Sequence, residues 1–194
     1  MKDSLPRKEQ ANANTQDNQS ELFDVVDEQD SVLRQAPRGE VHRLGLRHRA
    51  VHLFVINTGG YLYLQKRSRF KDTSPGCWNT SAAGHLDAGE TYVDAMVREA
   101  REEIGITVDK TMLHPILYLP ACEELGMEFV WVYRISHEGP FKLLPKEVEA
   151  GGWFEPAVID RWIKESPGDF TVSFGYLWER VRDGLICNHN HIRQ

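Results

Sequence analysis

Apolar and polar positions recur with two different periods along this chain, and the change of period marks its elements. Val93, Met96, Val97, Ala100 and Ile104 fall on one stripe at about 100° per residue, which predicts an amphipathic helix over residues 91–104. The runs AVHLFVIN (50–57) and YLYLQKRS (61–68) are β-rich and flank Thr58-Gly59-Gly60, which predicts a hairpin. Upstream, ELFDVVDEQDSVLRQAPRGEVH predicts a short strand, a turn at residues 28–31 and a second strand. KDTSPGCWNTSAAG (71–84) reads as a loop with a Pro75-Gly76 turn. LHPILYLPACEE and MEFVWVYRI predict two more strands, and EAGGWFEPAVIDRWIKE a strand ending near residues 153–154. A helix then starts close to Pro156, since proline is tolerated in a first helical turn. TVSFGYLWERVRDG (171–184) predicts a last helix, stopped by Gly184. Strand pairs mixed with separate helices, without repeats, point to α+β or mixed α/β packing.

The 91–104 helix carries more than a stripe. Glu99, Glu102 and Glu103 stand at i, i+3 and i+4 and share one face at the rim of the core. Like charges four residues apart destabilise a helix by about 0.2–0.5 kcal/mol, so this crowding does nothing for the helix itself. Rim carboxylates that cannot separate suit a hard cation with oxygen ligands. Mg²⁺ fits best, with Mn²⁺ as a substitute, because it binds through one or two carboxylates plus substrate phosphates. Arg98 lies four residues from both Asp94 and Glu102 and can pair with either. Asp87 and Glu90 suit the positive end of the helix dipole, and Gly105 suits its C-cap. A bare REAREE is as often a merely solvated helix face, so the weight rests on the longer spacing around it.

That spacing runs from Gly84 through Glu90, Arg98-Glu99, Ala100, Glu102-Glu103 and Gly105 to Ile106. It resembles the Nudix box with every position filled, and the chain is similar to the Nudix hydrolase superfamily. The resemblance implies an α/β/α sandwich with a mixed sheet, a loop–helix–loop metal site, and hydrolysis of a diphosphate linked to another group. By position it implies Glu99, Glu102 and Glu103 as metal ligands and Arg98 as the residue that orients a glutamate. The Gly84 carbonyl is implied as a further ligand. A later loop acid often completes such sites. Glu147, in PKEVEAGGWF, resembles it, and Glu128 is the rival. Glu102 or Glu147 would take the proton of the attacking water.

The surroundings of the box, from residue 23 to about 179, resemble the branch that contains isopentenyl-diphosphate isomerase. In that enzyme, histidines at the positions of His48 and His85 bind metal, which implies a second metal site. Its catalytic cysteine is replaced here by Ala83, which has no titratable group for a proton transfer. The leading expectation is a Mg²⁺-dependent hydrolase of a nucleoside-diphosphate-type or related organic diphosphate. An isomerase-like enzyme and a non-catalytic diphosphate-binding module are the alternatives.

Four cations, Lys66, Arg67, Arg69 and Lys71, follow the second hairpin strand and could clamp a diphosphate; Lys66 and Arg67 lie nearest the strand. The 194 residues suffice for one domain, expected over 21–185, with a disordered polar tail at 1–20 and a second tail at 186–194. A net charge of −6 argues against broad nucleic-acid affinity. No apolar run reaches the roughly 18 residues of a membrane span. The start MKDSLPRKEQ lacks the apolar stretch of a secretory signal, and three widely spaced cysteines fit a reduced cytoplasm. Oligomeric state is not legible. Trp78, Phe129, Trp131 and Trp153 could stack a base, with core packing the commoner role.

Overall fold

Strand β3 (His48–Ile56) is the axis of the molecule, because residues on both of its faces are buried. The computed structural model describes residues 17–187. β3 runs parallel to β8 (Glu128–Ser136) along its whole length. It pairs antiparallel with β4 (Leu62–Arg67) at one end and with β6 (Ala82–His85) at the other. β5 (Trp78–Asn79) and β9 (Val148–Phe154) pair antiparallel with β4, and β7 (His114–Leu119) with β8. The sheet is therefore mixed.

Alternation along β3 sorts its side chains between two cores. Val51, Leu53 and Val55 pack with Ala82 under Met96, Ala100 and Ile104 of α2 (Tyr92–Ile104). Ala50, Phe54 and Ile56 pack instead with Ile159 of α3 (Pro156–Glu165) and with Phe174, Leu177 and Trp178 of α4 (Val172–Cys187). The result is an α/β/α sandwich. A separate hairpin of β1 (Leu22–Val26) and β2 (Val32–Pro37) closes on α1 (Arg38–Leu44) around Phe23, Val25, Ala36 and Val41.

The structure departs from the expected elements in three places. α1 appears where only a strand end was expected. The 71–84 loop contains β5 and all but the last residue of β6. α4 passes through Gly184 to Cys187. One interior glycine costs a helix about 1 kcal/mol, and Leu185 just beyond it is buried in the α4-side core. The expected tails fall largely outside the described residues.

Candidate active site

The box helix is fixed at both ends. Thr91 caps the N-terminus by accepting from the Asp94 amide, and Gly105 closes the C-terminus in the left-handed region at φ 70°. The three glutamates then part company. Glu102 keeps 45% of its side chain exposed, whereas Glu103 as a residue is only 4% exposed. The rim position expected for the trio holds for Glu102 and fails for Glu103. Glu103 Oε2 accepts from Gln65 Nε2 of β4 at 2.7 Å and from the Ala83 amide of β6 at 2.8 Å. It bridges two strands that pair with opposite ends of β3.

Glu99 lies against the backbone of Gly84. A Cβ built on Gly84 would overlap the Glu99 carboxylate, with even the farther oxygen, Oε2, at 2.7 Å. Burial, and next the charge of Glu103, push the Glu99 carboxyl up to about 8. Burial raises Glu103 to about 7, against the lowering pull of the Ala83 amide, Lys71, Gln65 and Arg67. One buried and one half-buried carboxyl held above their ordinary range, with a side-chain-free backbone beside Glu99, form a donor set that fits a hard divalent cation.

These shifts fix a sign. A carboxyl whose folded pKa is raised contributes stability that is present below its unfolded value and is lost as pH rises through the folded one. Without divalent cation, the melting temperature of Glu99→Gln minus that of the unsubstituted protein should climb between pH 5 and about 8. Adding Mg²⁺ should reverse the trend. A pH-independent difference in EDTA would contradict the burial argument.

Arg98 is the hub of the site. It binds both oxygens of Glu90 at 3.1 and 2.9 Å, Glu99 Oε1 at 2.7 Å and the His85 carbonyl at 2.9 Å. Its contact with Glu102 is 3.4 Å. Asp94, the other partner open from sequence, is taken by Lys110 and Thr91. Lysine cannot reproduce this fork. Arg98→Lys should lower kcat about 10- to 100-fold, the range for residues that orient metal ligands, with little change in melting temperature. Steady-state kinetics with a parallel thermal melt would check it.

The basic cluster divides as well. Arg67 turns to the Thr73 carbonyl at 3.1 Å and lines a cavity, while Lys66 faces Glu149 at 3.5 Å. Lys71 binds Asp17 at 2.5 Å and Glu147 at 2.8 Å. Glu147 therefore sits on Lys71, which holds its carboxyl below the ordinary range against the opposing effect of burial. The four candidate stacking aromatics pack against the sheet or neighbouring rings: Trp78 on Phe154 and Trp162, Phe129 and Trp131 on Tyr118, Trp153 on Tyr63.

His48 and His85 come together, and α1 adds His42, a residue that sequence reasoning passed over. Candidate ligand atoms of the three all lie within 4.8 Å of one another. Arg38 Nη1 donates to His85 Nδ1 at 3.0 Å, so His85 Nε2–H donates to Glu128 Oε1 at 2.9 Å. His48 Nδ1–H donates to the Leu46 carbonyl at 2.9 Å, which leaves Nε2 buried without a hydrogen-bond partner, 3.6 Å from Glu128 Oε1. Burial and the nearby Arg38 push His42 down to about 4, and burial holds His85 well below its ordinary value. Burial opposes the Glu128 charge, but the His85 and His48 rings outweigh it and keep that carboxyl well below its usual range. The sign that could have flagged His42 was its place six residues before His48, but only α1 turns it inward.

A cavity of about 570 Å³ opens beside this cluster, bounded by His52, Arg67, Ala83, Leu125 and Thr171 among others. The volume suits a small-molecule ligand.

The family model of the NUDIX domain matches residues 46–172, the stretch that holds β3, the box and most of the cavity walls. The chain belongs to the Nudix family. An uncharacterized Nudix hydrolase of Yersinia pestis is 36% identical over 141 residues, covering 72% of this chain and 75% of its own. An isopentenyl-diphosphate Delta-isomerase of Burkholderia multivorans is 30% identical over 167 residues, covering 85% of this chain and 94% of its own. A crystal structure of a Deinococcus radiodurans protein superposes with a TM-score of 0.70 at 28% identity, covering 84% of this chain and 98% of its own. The resemblance to a Nudix branch near the isomerase is thereby upheld, and so is the sandwich. In this Nudix hydrolase the box is residues 84–106, and α2 is its helix.

Proposed function

We propose that this chain is a Mg²⁺-dependent hydrolase of an organic diphosphate, of the nucleoside-diphosphate type or related to it. The observation that carries the reading is the pair of buried Glu103 and half-buried Glu99 beside Gly84. Glu99 and Glu103 would hold the cation, with exposed Glu102 and the Gly84 carbonyl completing its ligands. A divalent cation there supplies charge neutralisation for the diphosphate and acidity for the attacking water. Arg98 keeps Glu99 in one rotamer through the short contact between them. Glu102 or Glu147 accepts the proton of the water. Arg67, on the cavity wall, and Lys66 bind the phosphates. Incubation with nucleoside, sugar-nucleotide and isoprenoid diphosphates should give phosphate or nucleotide release that EDTA abolishes. Tight binding of these ligands with no product would favour the binding-module alternative.

The isomerase alternative meets Ala83, whose methyl lines the cavity where that enzyme carries its thiol. Conversion of isopentenyl diphosphate to its dimethylallyl isomer would revive it. A second metal site is favoured by one observation, the buried, unpartnered His48 Nε2 aimed at Glu128. His42, His48 and the Glu128 carboxylate, joined by His85 once Arg38 gives up its Nδ1, are a donor set for a borderline ion such as Zn²⁺. Co²⁺ titration should give visible d–d bands that are lost in His42→Asn while Mg²⁺-dependent turnover is measured in parallel. Unchanged bands in that variant would remove the site.

A further inference from the structure

His52 is a buried histidine that the hydrolytic machinery does not use, yet it helps line the cavity. It pairs in register with Ala83 across β3 and β6, so both side chains emerge side by side on the α4 face of the sheet. Its ring is fixed by Thr80. The Thr80 hydroxyl donates its single proton to the Ala82 carbonyl at 3.2 Å. It therefore accepts from His52 Nδ1–H at 2.9 Å, and the lone pair falls on Nε2. Burial holds the ring near a pKa of about 4, so it stays a neutral acceptor around pH 7. Among the described residues, Nε2 has no hydrogen-bond partner, and unlike His48 Nε2 it is not sealed inside the protein.

The cavity and the box are joined at two residues. Ala83 donates its amide to Glu103 and turns its methyl into the cavity. Arg67, held by the Thr73 carbonyl and hydroxyl, lines the same cavity as His52, and its charge is felt at Glu103. Ala83 thus ties the box carboxylate on one face of the sheet to the cavity wall on the other, where His52 lies.

We propose that His52 Nε2 is the specificity-determining acceptor, selecting diphosphates whose attached group carries a hydroxyl donor, as ribose- and sugar-bearing substrates do, over hydrocarbon isoprenoid diphosphates. The inference rests on the hydrolase reading above. A hydrocarbon in the cavity would strip water from Nε2 and return no hydrogen bond, and sites built around a polar partner reject analogues lacking it. Ala83 contributes by leaving room beside the ring.

The test is kcat/KM for ADP-ribose and UDP-glucose against isopentenyl and geranyl diphosphate, in the full chain with Mg²⁺. The unsubstituted enzyme should favour the hydroxyl-bearing pair. His52→Leu should lower that preference at least about tenfold, mainly through KM, with isoprenoid rates unchanged or raised. His52→Gln, which keeps an acceptor, should restore most of it. Thr80→Val keeps the ring but removes the group that holds the proton on Nδ1, and it should also lose preference. Proportional loss on every substrate, an unchanged ratio in all three variants, or an unsubstituted enzyme that favours the isoprenoids would overturn the proposal. An enzyme that turns over none of the four by hydrolysis would remove the hydrolase reading first, and this proposal with it, a failure visible without any variant.

Discussion

Glu103→Gln is expected to lower kcat about a thousandfold, a barrier increase of about 4 kcal/mol, while leaving the fold intact. The substitution preserves shape. The amide oxygen of glutamine can still accept from Gln65 Nε2 and the Ala83 amide, which meet Glu103 Oε2 at 2.7 and 2.8 Å. What disappears is charge in the one place where burial makes that charge costly. Glu103 sits near 7, and its charge is the second largest cause that raises Glu99. Without divalent cation at pH 8, Glu103→Gln should therefore melt no lower than the unsubstituted protein. Mg²⁺ should stabilise it far less. A variant that lost activity by unfolding would fail the first of these readings, and one that kept near-normal Mg²⁺-dependent turnover would remove Glu103 from the site. Glu102→Gln makes a useful contrast, because Glu102 is substantially exposed and only loosely touched by Arg98.

Gly84→Ala should cost activity on a similar scale for a steric reason. A methyl at this position would collide with the Glu99 carboxylate. Glu99 cannot simply withdraw, because Arg98 holds Oε1 at 2.7 Å and is itself clamped by Glu90 and the His85 carbonyl. Overpacking of this kind costs roughly 1–3 kcal/mol of stability. The displaced carboxylate should lower kcat at least about a hundredfold, as small misplacements in a catalytic constellation do. Steady-state kinetics and a thermal melt would check both effects. Near-normal turnover would mean that Glu99 is free to move, contrary to the packing described.

Much of this arrangement is legible in the sequence. The helix is, because its apolar stripe, Thr91 cap and Gly105 stop agree with one another. The crowding of Glu99, Glu102 and Glu103 is legible, but their inequality is not. The partners that bury Glu103, Gln65 and Ala83, come from strands 38 and 20 residues away. β6 escaped detection because Ala82-Ala83-Gly84 lacks the β-branched and aromatic residues that mark a strand; pairing with β3 makes it one. α1 escaped because it is only seven residues long, and it inherits its position from the hairpin core around Phe23 and Val41. With α1 unseen, His42 could not be placed beside His48. Lys71 looked like a phosphate clamp in isolation, and its carboxylate partners Asp17 and Glu147 lie 54 and 76 residues off in sequence.

Turnover in ¹⁸O-labelled water, followed by mass spectrometry of the products, tests the central claim most directly. With Mg²⁺ and a hydroxyl-bearing diphosphate such as ADP-ribose, one labelled oxygen should appear on one phosphorus of the products and none without the cation. Unlabelled products, or an isomerised isopentenyl diphosphate with its diphosphate intact and unlabelled, would contradict it.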